Sequence, residues 1–132
     1  MTLAVDSSVL FAVFNGEPEG AGWLDYLLTL RVEAHLVACD IVWAEVAPLF
    51  PNLDALRATM SELDVKFSPL DDAVCFVAGQ LFTRYRKAGG PKGRMVPDFM
   101  IAAHAQERAD GLVTADRGFT RDHFRRLRLF SP

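Results

Sequence analysis

Four acidic residues of this sequence stand in surroundings that ask for chemistry. Glu45 is the only charge in the run Ile41-Val42-Trp43-Ala44-Glu45-Val46-Ala47-Pro48-Leu49-Phe50. Buried and unpaired, such a carboxylate costs on the order of several kcal/mol, so it must be protonated, paired or held by a cation. Asp98 opens Asp98-Phe99-Met100-Ile101-Ala102-Ala103-His104-Ala105 directly after Pro97, while Asp6 and Asp116 follow short apolar runs. Together they supply hard oxygen ligands and little else, the donor set that suits Mg²⁺ or Mn²⁺. Without a cation, clustered carboxylates repel, and one or more takes up a proton. Metal-held acids beside an arginine-rich segment are what phosphodiester hydrolysis needs.

Each acid also has an ordinary structural use. Asp98 is placed to N-cap a helix entered through Pro97, and Asp6 and Asp116 to turn or cap the chain after strands. Glu45 shares a helix face with the apolar Ile41 and Leu49, which argues against a merely solvated stripe. His104, two turns beyond Asp98, reads as a packed core residue rather than a general base. His35 and His123 lack cysteine or histidine partners at zinc-like spacing. Neither a phosphate-binding glycine loop nor a Gly-x-Ser-x-Gly nucleophile turn occurs.

Positioning such a set falls to short apolar runs that alternate with longer helical patterns. Strands are expected at 3–5, 35–39, 65–67, 112–114 and 128–130. A first helix has Ser7 and Ser8 as its N-cap oxygens, and a second over 19–32 sets Trp23, Tyr26, Leu27 and Leu30 at helical spacing. A third, over 41–50, is capped by Asp40 and interrupted at Pro48. Helices follow at 53–63, from Asp71 and Asp72 to about 87, at 98–109 and at 117–124, with a glycine-rich flexible loop over 88–93. The alternation implies right-handed crossovers and an α/β fold, a mostly parallel sheet covered on both faces. Ligands of such sheets bind outside the carboxyl ends of the strands, where Asp6 and Thr114-Ala115-Asp116 stand.

With 132 residues, 51% hydrophobic and 23% charged, the chain is expected to form one domain over 1–132 rather than a disordered segment. No apolar run approaches the roughly 20 residues that span a bilayer. The opening Met-Thr-Leu-Ala-Val-Asp has no basic region, so neither membrane span nor secretory signal is expected, and a cytoplasmic location is. Cys39 and Cys75 are too few for a disulfide scaffold, and each sits in an apolar run as a core residue would. Charge is divided unevenly: residues 1–83 hold 3 basic and 12 acidic side chains, residues 84–132 hold 11 and 5. The basic residues are mostly arginines, suited to forked contacts with phosphate. The division either solvates two faces of one fold or builds a polyanion-binding edge.

The chain resembles the PIN domain family, and within it the VapC-type toxins of toxin–antitoxin pairs. The resemblance rests on Val5-Asp6-Ser7-Ser8-Val9-Leu10, Trp43-Ala44-Glu45-Val46, Pro97-Asp98-Phe99-Met100-Ile101-Ala102-Ala103-His104-Ala105 and Leu112-Val113-Thr114-Ala115-Asp116-Arg117-Gly118-Phe119, in the family's order. Each stretch is weak alone; four in order, covering essentially the whole chain, are specific. Asp40 departs from the pattern, since many relatives carry Ser or Thr there. The resemblance implies a three-layer α/β/α fold around five mostly parallel strands.

It also implies an Mg²⁺- or Mn²⁺-dependent endoribonuclease, with Asp6, Glu45, Asp98 and Asp116 as the acidic set and Ser8 and Thr114 as supporting polar groups. Asp122, six residues on, competes with Asp116 for the fourth place. Asp6 and Asp98 would be direct ligands, while Glu45 and Asp116 would hold water, a second ion or the attacking water's proton. Arg94, Arg117 and Arg121 are candidate contacts to RNA phosphates. The implied partners are an RNA substrate, a small antitoxin lying over the groove, and a second copy of the chain. The helix around Trp23, Tyr26, Leu27 and Leu30 could serve that dimer or simply face the core. Two other readings compete: phosphoryl chemistry on Asp6, as in a phosphatase or phosphoacceptor domain, and a non-catalytic PIN scaffold. Against the phosphatase, position 8 is Ser rather than a second Asp.

Overall fold

The central strand is β1 (Thr2–Val5), and everything that matters for the site follows from what stands beside it. The computed structural model describes residues 1–90, 93 and 96–132, those at 119–121 by backbone alone. After β1 come α1 (Ser7–Phe14), α2 (Gly20–Glu33), β2 (His35–Ala38), α3 (Asp40–Val46) with a 3-10 turn at Ala47–Leu49, α4 (Leu53–Glu62) and β3 (Val65–Phe67). Then follow α5 (Asp72–Lys87), α6 (Pro97–Arg108), β4 (Gly111–Val113), α7 (Arg117–His123) and β5 (Leu129–Phe130). The five strands pair in parallel in the order β3-β2-β1-β4-β5. The chain first builds outward from β1 to β3, then returns to lay β4 on β1's other side. With right-handed connections, the helices before and after that reversal cover opposite faces of the sheet. The reversal makes the gap between β1 and β4 the topological switch point, where open α/β sheets bind ligands.

Local chemistry explains most element ends. Asn52 and Asp71 cap α4 and α5 by accepting from the N–H groups of Ala55 (2.8 Å) and Val74 (2.9 Å). Pro48 lacks an N–H, and α3 gives way there to the 3-10 turn. Gly20 lets α2 start against α1, because a Cβ at that position would collide with the Ala12 carbonyl. The core joins both faces of the sheet through Leu3, Leu10, Leu27, Leu36, Met60, Phe99 and Leu112, all buried. Trp23 and Leu27 of α2 are buried, and Tyr26 and Leu30 pack against the core, so that helix turns this face inward. Among the described residues, no helix is long and apolar enough to cross a membrane.

Four expectations need correction. Ser7 and Ser8 do not cap α1; Asp6 holds the N-cap position in extended conformation and both serines lie inside the first turn. Asp98 is not an N-cap either. Pro97, whose missing N–H is unneeded at a helix start, begins α6 after Val96, which puts Asp98 in the first turn. Asp40 is likewise the first residue within α3, Cys39 taking the cap position, and its Oδ1 accepts from the Leu70 N–H at 3.2 Å. Finally, Cys75 is exposed: α5 buries Val74, Ala78 and Leu81, a stripe that leaves Cys75 on the solvent side. The loop expected over 88–93 lies partly outside the described residues, as does Arg94 altogether.

His104 is a core residue, 1% exposed, with Nε2 at 2.9 Å from the Ser68 hydroxyl. Burial pushes its pKa below the ordinary histidine value, against the pull of Asp40 and Asp71 and with the help of Arg108. A lowered native pKa gives stability that is whole above about pH 6.5 and is lost as pH falls through the native value. His104→Gln keeps a hydrogen-bonding side chain that does not titrate. In urea melts at pH 7.5 and pH 5, the wild type is expected to lose more stability than this variant; equal losses would remove His104 from the account.

Candidate active site

The register of the central strands assembles the site from the two ends of the sequence. Val5 pairs with Val113, so Asp6 and Thr114 leave neighbouring strands side by side, and the Asp6 N–H donates to the Val113 carbonyl at 2.9 Å. Thr114, fully buried, donates its Oγ1 hydrogen to Asp6 Oδ2 at 2.7 Å. Ser8 donates to the same oxygen at 2.8 Å. Each hydroxyl in turn accepts a backbone N–H, Thr114 from Asp116 (3.0 Å) and Ser8 from Ala115 (3.1 Å). Both hydroxyl protons are thereby directed at Oδ2, which accepts twice. Asp6 is only 8% exposed and is held in one orientation, with Oδ1 left to other ligands.

Glu45 is half-buried and accepts at Oε1 from the Ser7 hydroxyl at 3.0 Å. Ser7 is therefore a site residue that sequence reasoning placed in a helix cap. Its only signal was the position after Asp6, which a helical turn carries toward α3. Asp98 enters from the first turn of α6 and is exposed as a residue. Burial around its carboxyl, then the charges of Asp6, Asp116 and Glu45, raise its pKa above the ordinary aspartate value. The other three sequence-predicted acids thus all bear on Asp98. Asp122 is not among the charges that shift Asp98.

The donor set is suited to a hard divalent cation. Its ligands are all oxygen, and among the described residues no lysine or arginine forms an ion pair with Asp6, Glu45 or Asp98. Among those residues no three acids, histidines or cysteines converge closely enough to hold an ion by themselves. Mg²⁺ does not require that, since it binds through one or two carboxylates and keeps several waters. The expected arginines are less well placed. Arg117 donates to the Ser131 hydroxyl at 2.6 Å, toward the chain end. Arg94 and the side chain of Arg121 lie outside the described residues.

Comparisons with known proteins agree with the fold. The PIN domain model matches residues 3–123. Among solved structures, the chain is similar to VapBC2 from Rickettsia felis bound to a DNA fragment from its promoter, with a TM-score of 0.76, 20% identity and 98% of each chain covered. VapBC-1 from nontypeable Haemophilus influenzae follows at 0.67 and 21%, over 99% of this chain and 98% of that one. FitAcB from Neisseria gonorrhoeae gives 0.61 and 21%, over 99% and 98%. At these identities the likeness is one of fold. No curated protein matches by sequence.

Proposed function

The chain belongs to the PIN domain family, and from that premise we propose that it is a metal-dependent endoribonuclease, the toxin of a toxin–antitoxin pair. The observation that supports this reading best is that Asp6, fixed by Ser8 and Thr114 at the switch point of a parallel sheet, bears with Asp116 and Glu45 on the charge of Asp98. Asp6 and Asp98 would hold Mg²⁺ or Mn²⁺, with Glu45 and Asp116 beside them. When bound, the ion supplies Lewis acidity and a water activated for attack on the phosphodiester. The protein's own part is orientation. Ser8 and Thr114 fix the Asp6 carboxylate, and Ser7 fixes Glu45 so that its second oxygen can align the water and take its proton. The Asp6 phosphoacceptor reading is weaker, because two hydroxyl bonds already hold Oδ2 and make the carboxylate a poorer nucleophile.

The match of fold to VapBC and FitAB-type assemblies supports a small antitoxin as partner. A homodimer and a cytoplasmic setting belong to the same proposal, as does one working unit over residues 1–132. The test is cleavage of a mixed RNA pool by protein stripped of any partner. Cutting is expected with Mg²⁺ or Mn²⁺ and is expected to disappear in EDTA. Undiminished cutting in EDTA would refute the metal role, and metal binding without cutting of any RNA would favour the scaffold reading.

A further inference from the structure

On that reading four carboxylates face the substrate and repel a polyanion, so affinity for RNA has to come from positive charge elsewhere. Several arginines are already engaged: Arg108 with Asp71 at 2.6 Å, Arg31 with the Glu62 carbonyl, Arg117 with Ser131. A groove of about 610 Å³ between α5, the end of α6 and the segment after α7 gathers three that, among the described residues, are not. Arg84 lines it from α5, and Arg125 and Arg126 line it from the segment after α7; among the described residues none of the three is ion-paired. The two walls, residues 84–87 and 125–128, hold six basic side chains and no acid. Glu107 and Asp122 are the acids that line the groove.

The groove and the acids share helices, although none of the four acids lines it. Tyr85 lines it, and its ring lies 5.1 Å from that of Phe99, the residue after Asp98. On the other wall, α7 starts at Arg117, directly after Asp116, and ends at His123, whose ring stands 5.0 Å from Tyr85. Both α6 and α7 therefore run from a site carboxylate to this groove.

We propose that the groove binds the RNA backbone flanking the phosphodiester to be cut, with Arg84, Arg125 and Arg126 on its phosphates. This rests on the ribonuclease reading above. It resolves the charge asymmetry of the sequence in favour of a polyanion-binding edge, and it moves that edge from Arg117 to residues 84 and 125–126. Arginine suits the role because its planar fork meets two phosphate oxygens at once.

The experiment is fluorescence anisotropy of a labelled single-stranded RNA in EDTA, over a range of salt, where binding is read without cutting. The combined variant Arg84→Gln, Arg125→Gln, Arg126→Gln is compared with the wild type and with Arg57→Gln, an exposed change on α4. The triple variant is expected to bind about 10–100-fold more weakly, its salt slope reduced by about 2, as loss of three phosphate contacts to a single strand implies. Arg57→Gln is expected to bind as the wild type does. Circular dichroism checks folding, and Arg84→Gln alone is expected to give a smaller loss in the same direction. A triple variant with wild-type affinity and slope, or a wild type that binds no RNA, overturns the proposal. Groove-dependent binding without metal-dependent cutting would leave the groove standing and remove the nuclease. Cutting by a wild type whose binding ignores the three arginines would do the reverse.

Discussion

Replacing Asp98 by asparagine is expected to lower RNA cleavage on the order of 10²–10³-fold while making the metal-free protein more stable, not less. The first effect follows from removing a charged oxygen from the centre of the acidic set, where fixed charges contribute most to the reaction. The second follows from the sign of the pKa shift. Burial and the charges of Asp6, Asp116 and Glu45 raise the Asp98 pKa in the folded chain. A raised carboxylate pKa means that folding loses stability as pH rises through the native value, so at pH 7 the ionised Asp98 opposes folding. Asparagine keeps the shape and removes the charge. Because Asp98 is exposed, solvent screens much of the repulsion, and the expected gain in Tm is on the order of 2 °C at pH 7. It should vanish below about pH 3, where the carboxyl is largely protonated in both folded and unfolded chains. Mn²⁺ should raise the Tm of the wild type more than that of the variant. Melting curves with and without Mn²⁺ check this apart from any activity assay. A variant less stable than wild type at pH 7 without metal would mean that Asp98 serves the helix start instead.

Phe99→Ala should be among the most destabilising substitutions in the chain, at about 3–5 kcal/mol. The Phe99 side chain is 1% exposed. Its ring lies 5.4 Å from Phe82, 5.1 Å from Tyr85 and 5.3 Å from Phe124, so it ties α5 and α6 to the segment after α7. The cavity left by alanine would be lined by rings that cannot easily collapse into it. A small domain has about 5–15 kcal/mol of stability in all, so the loss is a large share of the total. Because Phe99 directly follows Asp98, the loosened helix start should also weaken metal binding. Urea denaturation measures the first effect, with Phe99→Leu as a milder reference. A loss below about 1 kcal/mol would show that the aromatic cluster repacks.

Much of the fold was legible because its signals are local. Short apolar runs and helical apolar spacings, Pro48, Pro97 and the capping Asp71 mark the elements within a few residues. The four acids stood out for the same reason, Glu45 most of all in its apolar run. What the sequence hid was where side chains on a helix's first turn point. Ser7, Ser8, Asp40 and Asp98 each sit where a cap is conventional, and local pattern cannot tell a residue that closes a helix from one that the helix presents to a neighbour. Ser7 bonds with Glu45, 38 positions away, a meeting that only the packing of α1 on α3 creates. The groove arginines were hidden similarly. Residues 84 and 126 line one groove only once α5 and the end of α7 lie side by side, whereas Arg117 looked better because it adjoined a motif.

The bond from Thr114 to Asp6 spans 108 positions of sequence, and it closes only when β4 has settled against β1. In synthesis Asp6 leaves the ribosome 108 residues ahead of Thr114 and waits for that stretch to be made. Until the strand before Thr114 has left the exit tunnel and docked, Asp6 Oδ2 has one of its two hydroxyl donors missing, and Asp116 is absent from its place. Long-range closure of this kind is slow and comes late in folding. The acidic centre thus waits on residues 114–116: a message broken, or synthesis stalled, before them leaves behind a fragment with half a site and no means of completing it.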